Sequence, residues 1–468
     1  MTVAALVVIF ATGLILLSWR QHRHERNMIA ILLLVLSGLL LRSLFVAVPH
    51  LHPWDERYHA LVAKHMMDDP FRPVLYPDPA LPIDQHDWSK SHIWVHKPPL
   101  PLWSMAASMA LFGVNVIALR LPSLLLSVLS IMLCYGIARR LFDRSAAWST
   151  AAFISIHGLL LQLTGGATAT DHIDVFLFFF IMLAIWAGVR WKERPAWHWS
   201  LLAGTAIGCA VLSKWIVGLF PLLIIFLLGS RIPDRKKMLF HFATVIVVML
   251  CITLPWEIHI NSQFPAEAAI VRDHTFGHVD RVLEDHTGKK WWYHLQKLGM
   301  LHGEAIYLPL LWPVWRICRG DRDHRNFLLV LWIAVPLLIF SIARTKMQAY
   351  TIMATPAIYM CAALFIGDLF RSNARPILKV IGIALVILMP YRIMLNTVKP
   401  WRSQLEKPAW MTDIDRLSKD PSEKTIIFNS ERPIETMFHR DVIAYEGIPP
   451  EELIHRAEAL GYRVVVLP

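Results

Sequence analysis

The sequence predicts a mainly α-helical, polytopic membrane protein. It has about twelve transmembrane helices, two large external loops with juxtamembrane helices, and a small C-terminal external α/β domain. Three observations predict this. The composition is 56% hydrophobic and only 17% charged, against roughly 25% charged in a soluble domain. Apolar runs near the length of a bilayer-spanning helix recur along the chain. The basic residues between those runs alternate sharply between rich and poor linkers.

The apolar runs are 3–19, 28–48, 118–141, 146–164, 172–191, 198–213, 215–229, 238–258, 300–317, 326–343, 348–370 and 377–395. Their interiors read as nearly charge-free. Lys and Arg gather in cytoplasmic loops. Here RQHRHER (20–26), residues 139–144, 190–194, RIPDRKK (231–237), 316–325 and 371–379 hold twenty of them, while the intervening hairpins hold three, Lys214, Arg344 and Lys346. One alternation of the spans satisfies every linker. It places loops 49–117 and 259–299 and the tail 396–468 outside the cytoplasm, with 1–396 as the membrane domain and 397–468 as the small external one. The net charge of +11 is then mainly a topology signal. The basic residues are dispersed instead of forming one patch, so no nucleic-acid partner is expected.

The first run lacks a basic n-region and a small-residue cleavage site, so it reads as a retained N-out helix and not as a signal peptide. The five cysteines lie in or at the ends of spans, and no disulfide framework is expected outside. The tail turns soluble after Trp401. EKTIIFNS, RDVIAYE and YRVVVLP read as strands, and PPEELIHRAEALG as a helix with Pro at its start and Gly at its end. A unit this small is near the lower limit for independent stability and is expected to pack on the membrane part.

Thirteen of the 22 histidines lie in or beside the two long loops. The first opens HLHPWDERYHALVAKHMM, where Pro53 and an acidic pair precede an apolar repeat. That reads as an amphipathic helix along the membrane surface. Asp55 and His59 are four apart and share a helical face, but acids at a helix N-terminus are also favoured by its dipole alone. The second loop mixes histidine, carboxylate, cations and aromatics, including His286. Such donors suit zinc, manganese or similar ions. Surface histidines with no shared ligand fit the pattern as well. At two hairpin mouths, GGATATDHIDVF carries Asp171 and Asp174, and SIARTKMQAYT carries Arg344, Lys346 and Tyr350. The first set can simply cap a helix. The second can grip a phosphate or snorkel to lipid headgroups.

The ordered set WDERYHALVAKHMM, HKPPLPLW, LFGVNVIALRLPSLLLSVL, TDHIDVF, SKWIVGL, PWEIHI, WWYHL and RTKMQAYTIMATP resembles the polyprenyl-phosphate-sugar-dependent glycosyltransferases. These form the aminoarabinose transferase and protein O-mannosyltransferase superfamily, with the GT-C fold. The resemblance covers roughly residues 28–370. It implies an inverting transfer of a sugar from a polyprenyl-phosphate carrier to an acceptor hydroxyl or phosphate on the outer face of the cell's inner (plasma) membrane. The acceptor would be an envelope lipid or glycan, or, as in the protein O-mannosyltransferases, a protein. Membrane lipids are the other partners, and a monomer is expected.

The resemblance also implies roles. Asp55 would be the catalytic base, with Glu56 as its neighbour and rival. Lys97 of the Lys-Pro-Pro segment, Lys346, Tyr350 and Arg344 would hold the donor phosphate. Tyr58, His59 and Asp171 would line the cavity. Where aminoarabinose transferases usually have Glu before Lys-Pro-Pro, this chain has His96, which with His274 implies a divalent metal site (zinc, or manganese or magnesium). Gly277-His278-Val279 stands where the family tends to have an arginine, so Arg281 would substitute. Residues 72–95 form an insertion that would shape a different acceptor site. The rival class is a lipid-linked-sugar transporter or binding protein. Transporters place charge at the bilayer midplane on interrupted helices and show inverted repeats, and neither feature is evident here.

Overall fold

A computed structural model describes residues 2–77, 79, 81–230, 232–282, 290–417 and 424–467. Arg231 and His286, counted above in the basic linkers and the second loop, lie outside these residues, as do Asp78 and Ala80 of the insertion. Glu423 and Pro468 of the predicted tail strands do too.

The chain is a multi-pass membrane protein built of helices. The first pair, α1 (Val3–Arg23) and α2 (Asn27–Val46), form a hairpin. The first long loop holds α3 (Asp55–His65) and α4 (Pro99–Phe112). Then follow α5 (Val116–Leu141), α6 (Arg144–Ser155), α7 (Gly158–Thr164), α8 (Asp171–Glu193), α9 (Trp197–Lys214), α10 (Phe220–Gly229) and α11 (Arg235–Gln263). The second long loop holds α12 (Pro265–Asp280) and α13 (Tyr293–His302), and α14 (Tyr307–Cys318), α15 (His324–Ile342), α16 (Thr355–Arg371) and α17 (Pro376–Val398) complete the membrane part.

Among the described residues, nine helical stretches are long and apolar enough to cross a membrane, or ten if the bent pair α6–α7 counts as one. The twelve unbroken runs of the sequence need correction at two places, while the division between runs 198–213 and 215–229 holds. The run 146–164 is α6 and α7, bent by 51°. The run 300–317 is not one helix, because α13 ends at His302 and Gly303 turns at φ +97° before α14 begins. The stretch Trp197–Gly229 reverses on itself at Trp215 (φ +44°). There Lys214 meets Asp174, near the start of α8, while Ile225 packs on Gly188, about 21 Å further along that helix. Gly218 is required at this reversal, since a Cβ would lie 2.3 Å from the Val211 nitrogen.

The span interiors are also less bare than the sequence reading had them. Arg42 on α2 and Arg120 on α5 are both fully buried. Arg42 donates to the carbonyls of Gly38, Ser155 (2.9 Å) and Ile154 (3.2 Å), and to the Ser127 hydroxyl. At the α6–α7 bend the Ser155 carbonyl has, among the described residues, no backbone N–H of a continuing helix to accept from, and the Ile154 carbonyl takes a long bond from that of His157 at 3.4 Å. Arg42 is thus the partner that makes the bend tolerable. Arg42→Leu should cost about 1–3 kcal/mol for the orphaned acceptors, read as a lower unfolding midpoint in detergent with an unchanged oligomeric state.

The tail adds α18 (Ala409–Arg416), β1 (Thr425–Phe428), α19 (Pro433–His439), β2 (Ile443–Ala444), α20 (Glu451–Ala459) and β3 (Arg463–Val466). The three strands form a parallel sheet in the order β2-β1-β3. Its core does not stand alone. Ile426, Phe428 and Phe438 belong to one buried cluster with Leu61, Trp94 and Leu102 of the first loop. Helix α3 is therefore covered by protein on the side of the tail domain. It is buried from Tyr58 to Ala63, with α4 and α19 packed against it.

Candidate active site

Position on α3 separates the two adjacent acids. Successive helical residues point about 100° apart, and here one faces inwards and the other outwards. Glu56 is fully buried. Its carboxylate takes two bonds from Arg120 (2.6 and 2.8 Å), one from the His52 N–H (2.7 Å) and one from His172 Nε2 (3.1 Å). Burial opposes its charge, but Arg120 and His172 together overcome that and hold the carboxyl well below the usual carboxylate range. Arg120 spends its remaining donors on the carbonyls of Phe45, Val46, Val48 and His50, where α2 ends. The Arg of RLPS and the Glu of WDERY therefore form one buried clasp. Gly166 (φ +71°) closes over it, where a Cβ would sit 2.4 Å from the Glu56 carboxyl.

Asp55 faces the other way and is 22% exposed. The Lys97 ammonium, 20% exposed, lies 3.9 Å from its carboxylate, and the Thr170 N–H donates to it at 3.2 Å. Lys97 is placed by the prolines after it. Pro98 is extended (φ −64°, ψ 156°) and Pro99 opens α4, where its missing N–H costs nothing. The insertion closes behind this segment as a small clip. The Leu75 N–H donates to the His92 carbonyl, and the Trp94 N–H to that of Pro73. Trp88 stacks on His96, with centroids 5.0 Å apart at 9°.

The start of α8 is strained. Thr170 (φ +68°) and Asp171 (φ +31°) are consecutive left-handed residues, and a β-branched residue there is a genuine outlier. Strain of this kind persists only where its surroundings over-determine it, and it clusters at functional sites. Three contacts hold it here. The Thr170 N–H bonds Asp55, the Thr170 hydroxyl donates to Asp174, and the Asp171 carboxylate bonds buried His59 Nδ1 at 3.0 Å. Thr170 makes no side-chain cap for α8. Asp174 carries the network on to Lys214 (2.6 Å), whose ammonium lies 5.0 Å over the ring of Tyr350.

Asp55, Lys97, Thr170, Asp174, Lys214 and Tyr350 thus form one connected group. Three of them, Thr170, Asp174 and Lys214, were not expected as site residues. Lys214 carried a signal, as the single cation in an apolar hairpin. His59 turns to Asp171 and not to Asp55, although the two are four residues apart. Other expected residues lie elsewhere. Tyr58 faces the tail domain, where it accepts a bond from Arg57 (3.1 Å). Arg281 folds back onto Asp273. Arg344 is exposed, its N–H bonded to the Val279 carbonyl at 3.2 Å. Lys346 is buried and donates to the Ala343 carbonyl.

His96 and His274 do meet, with ring centroids 4.9 Å apart, and His278 lies 5.1 Å beyond His274. Burial, and then the Lys97 charge, push both His96 and His274 below the usual histidine range. Neutral imidazoles are the form that binds metals. Yet among the described residues no three His, Cys, Asp or Glu side chains are grouped to hold a metal ion. A zinc site ordinarily takes three or four protein ligands, so the donor set is short of that.

Residues 96–259 match the family model described as dolichyl-phosphate-mannose-protein mannosyltransferase. An undecaprenyl phosphate-alpha-4-amino-4-deoxy-L-arabinose arabinosyl transferase of Pseudomonas fluorescens strain Pf-5 is 26% identical over 274 residues, 56% of this chain and 49% of that protein. A relative of the same description from Edwardsiella ictaluri is 26% identical over 67% of this chain and 58% of its own. The chain spans about half the length of the first of these. Among solved structures, ArnT from Cupriavidus metallidurans bound to undecaprenyl phosphate superposes with a TM-score of 0.62 at 19% identity, over 92% of this chain and 88% of that one. The archaeal oligosaccharyltransferase AglB from Archaeoglobus fulgidus gives 0.56 at 16%, over 92% and 69%. These likenesses establish a shared GT-C fold.

Proposed function

We propose that the chain is an inverting membrane glycosyltransferase that moves a sugar from a polyprenyl-phosphate carrier to an acceptor hydroxyl on the outer face of the inner membrane. The observation that carries this is the carboxylate of Asp55 set against the ammonium of Lys97 at 3.9 Å, both partly open. The family match and the polyprenyl-phosphate donor in the relatives' names support it.

Asp55 takes the proton of the acceptor hydroxyl as its oxygen attacks the anomeric carbon from the side opposite the phosphate. The carbon–oxygen bond to phosphate breaks, its electron pair leaves with the phosphate, and the configuration inverts. Lys97 offsets the charge that gathers on the leaving group, an interaction that strengthens as the bond breaks. Lys214, backed by Asp174 and Tyr350, is the next cation. Lys346 and Tyr350 complete the proposed set, whereas Arg281, paired with Asp273, and the exposed Arg344 are assigned no role in it. No step runs through a metal. A divalent ion at His96 and His274 would have only these two protein donors among the described residues, and a chelator is expected to leave transfer unchanged.

The test offers polyprenyl-phosphate sugars and a membrane-lipid extract to the purified chain, with mass spectrometry for glycosylated product and released polyprenyl phosphate. Product and release in step are expected, and neither above background would overturn the reading. Lys97→Gln should lower kcat by about a hundredfold, with acceptor KM little changed.

A further inference from the structure

Between α3, the insertion and the tail domain lies a cavity of about 460 Å³, within the roughly 300–1,000 Å³ of small-molecule sites. Its walls include three tyrosines, Tyr58, Tyr76 and Tyr445, and three cations, Arg57, Lys90 and Arg432. Tyr76 and Tyr445 stack at 5.3 Å and 10°. The Arg57 guanidinium lies 4.8 Å from the centre of the Tyr58 ring, and its Nε has no hydrogen-bond partner among the described residues.

Each cation of this cavity already has a carboxylate beside it. Arg57 faces Glu435 at 3.5 Å, Lys90 faces Asp87 at 3.1 Å, and Arg432 faces Glu431 at 3.7 Å. Glu446 adds a further carboxylate to the wall. A phosphate group is gripped by cations with charge to spare, and these have their counterions already. Interleaved donors and acceptors beside aromatic rings suit a neutral polyhydroxyl ligand instead. Its hydroxyls find both kinds of partner, and its C–H faces find the rings.

The cavity adjoins the candidate active site. Tyr58 follows Asp55 by three residues on α3, a spacing that makes helical neighbours. Trp88 meets Tyr58 edge-on at 4.7 Å and also stacks on His96. A single indole therefore lies between the cavity and the segment that carries Lys97.

We propose that this cavity binds a neutral saccharide unit of the acceptor, which makes the acceptor a glycan or glycolipid. The catalytic meaning rests on the transfer reading above, but the binding itself does not. The test is saturation-transfer NMR on the full chain in detergent, with N,N′-diacetylchitobiose and mannobiose as neutral probes, glucose 6-phosphate as the anionic one and a Ser/Thr-rich peptide.

Saturation transfer to a neutral disaccharide is expected, equal in wild type and Asp55→Asn, with about tenfold weaker binding in Lys90→Ala/Arg432→Ala. Tyr445→Phe, which keeps the stacked ring, should fall between the two, and circular dichroism checks that all variants fold. Binding of neither disaccharide, of the phosphate or peptide alone, or equally by the cavity variants would overturn the proposal. A chain that binds the disaccharide but releases no polyprenyl phosphate would sink the transfer reading and leave the cavity assignment standing.

Discussion

Asp55→Asn should lower sugar transfer by about 10²–10⁴-fold, the contribution typical of a general base, while donor affinity stays near wild type. The amide is nearly isosteric and can still accept the Thr170 N–H bond, so the strained start of α8 keeps that support. It cannot take the acceptor's proton, and it no longer offers a charge to Lys97. The loss should therefore fall on kcat and not on acceptor or donor KM. Single-turnover transfer, with donor binding measured separately, checks this. Wild-type rates in Asp55→Asn would remove Asp55 from the base role. They would not transfer that role to Glu56, whose carboxylate is enclosed by Arg120, His52 and His172.

Glu56→Gln should instead act on stability. Breaking a buried ion pair by removing one partner costs roughly 3–5 kcal/mol, because the other charge stays buried without compensation. Arg120 would keep its carbonyl partners but lose its counterion. The unfolding midpoint in detergent should drop while the residual folded enzyme still transfers sugar. The pH dependence gives a second readout. Glu56 keeps its charge in the fold at pH values where the unfolded chain is protonated. Its stabilisation is thus complete above the unfolded value of about 4.3 and is lost as pH falls below it. Wild type should lose stability on acidification through that window more steeply than Glu56→Gln. Parallel curves would mean that the clasp does not hold the fold.

The difference between these neighbours was legible in the sequence only in part. The acidic pair, the Pro-Pro that fixes Lys97 and the Arg of RLPS are all visible as residues. Helical geometry says that the pair must diverge, but not which acid turns inwards. Arg120 decides that, and it lies 64 residues from Glu56. The same holds for Asp171 and His59, which are 112 apart. The apparent Asp55–His59 pairing at helical spacing lost to this longer-range contact.

By itself the sequence determined the membrane class, the alternation of the linkers, the amphipathic start of α3, the strands and helix of the tail, and the extended Lys-Pro-Pro segment. Each follows from local chemistry: apolar length, linker charge, or the fixed φ of proline. Only the tertiary structure decided that the run 146–164 bends, since the α6–α7 junction depends on an arginine from α2. It alone joined Asp174 and Lys214 to the candidate site, paired Arg281 with Asp273, and buried α3 beneath the tail. Burial and charge pairing between distant segments set those outcomes, and no local pattern records them.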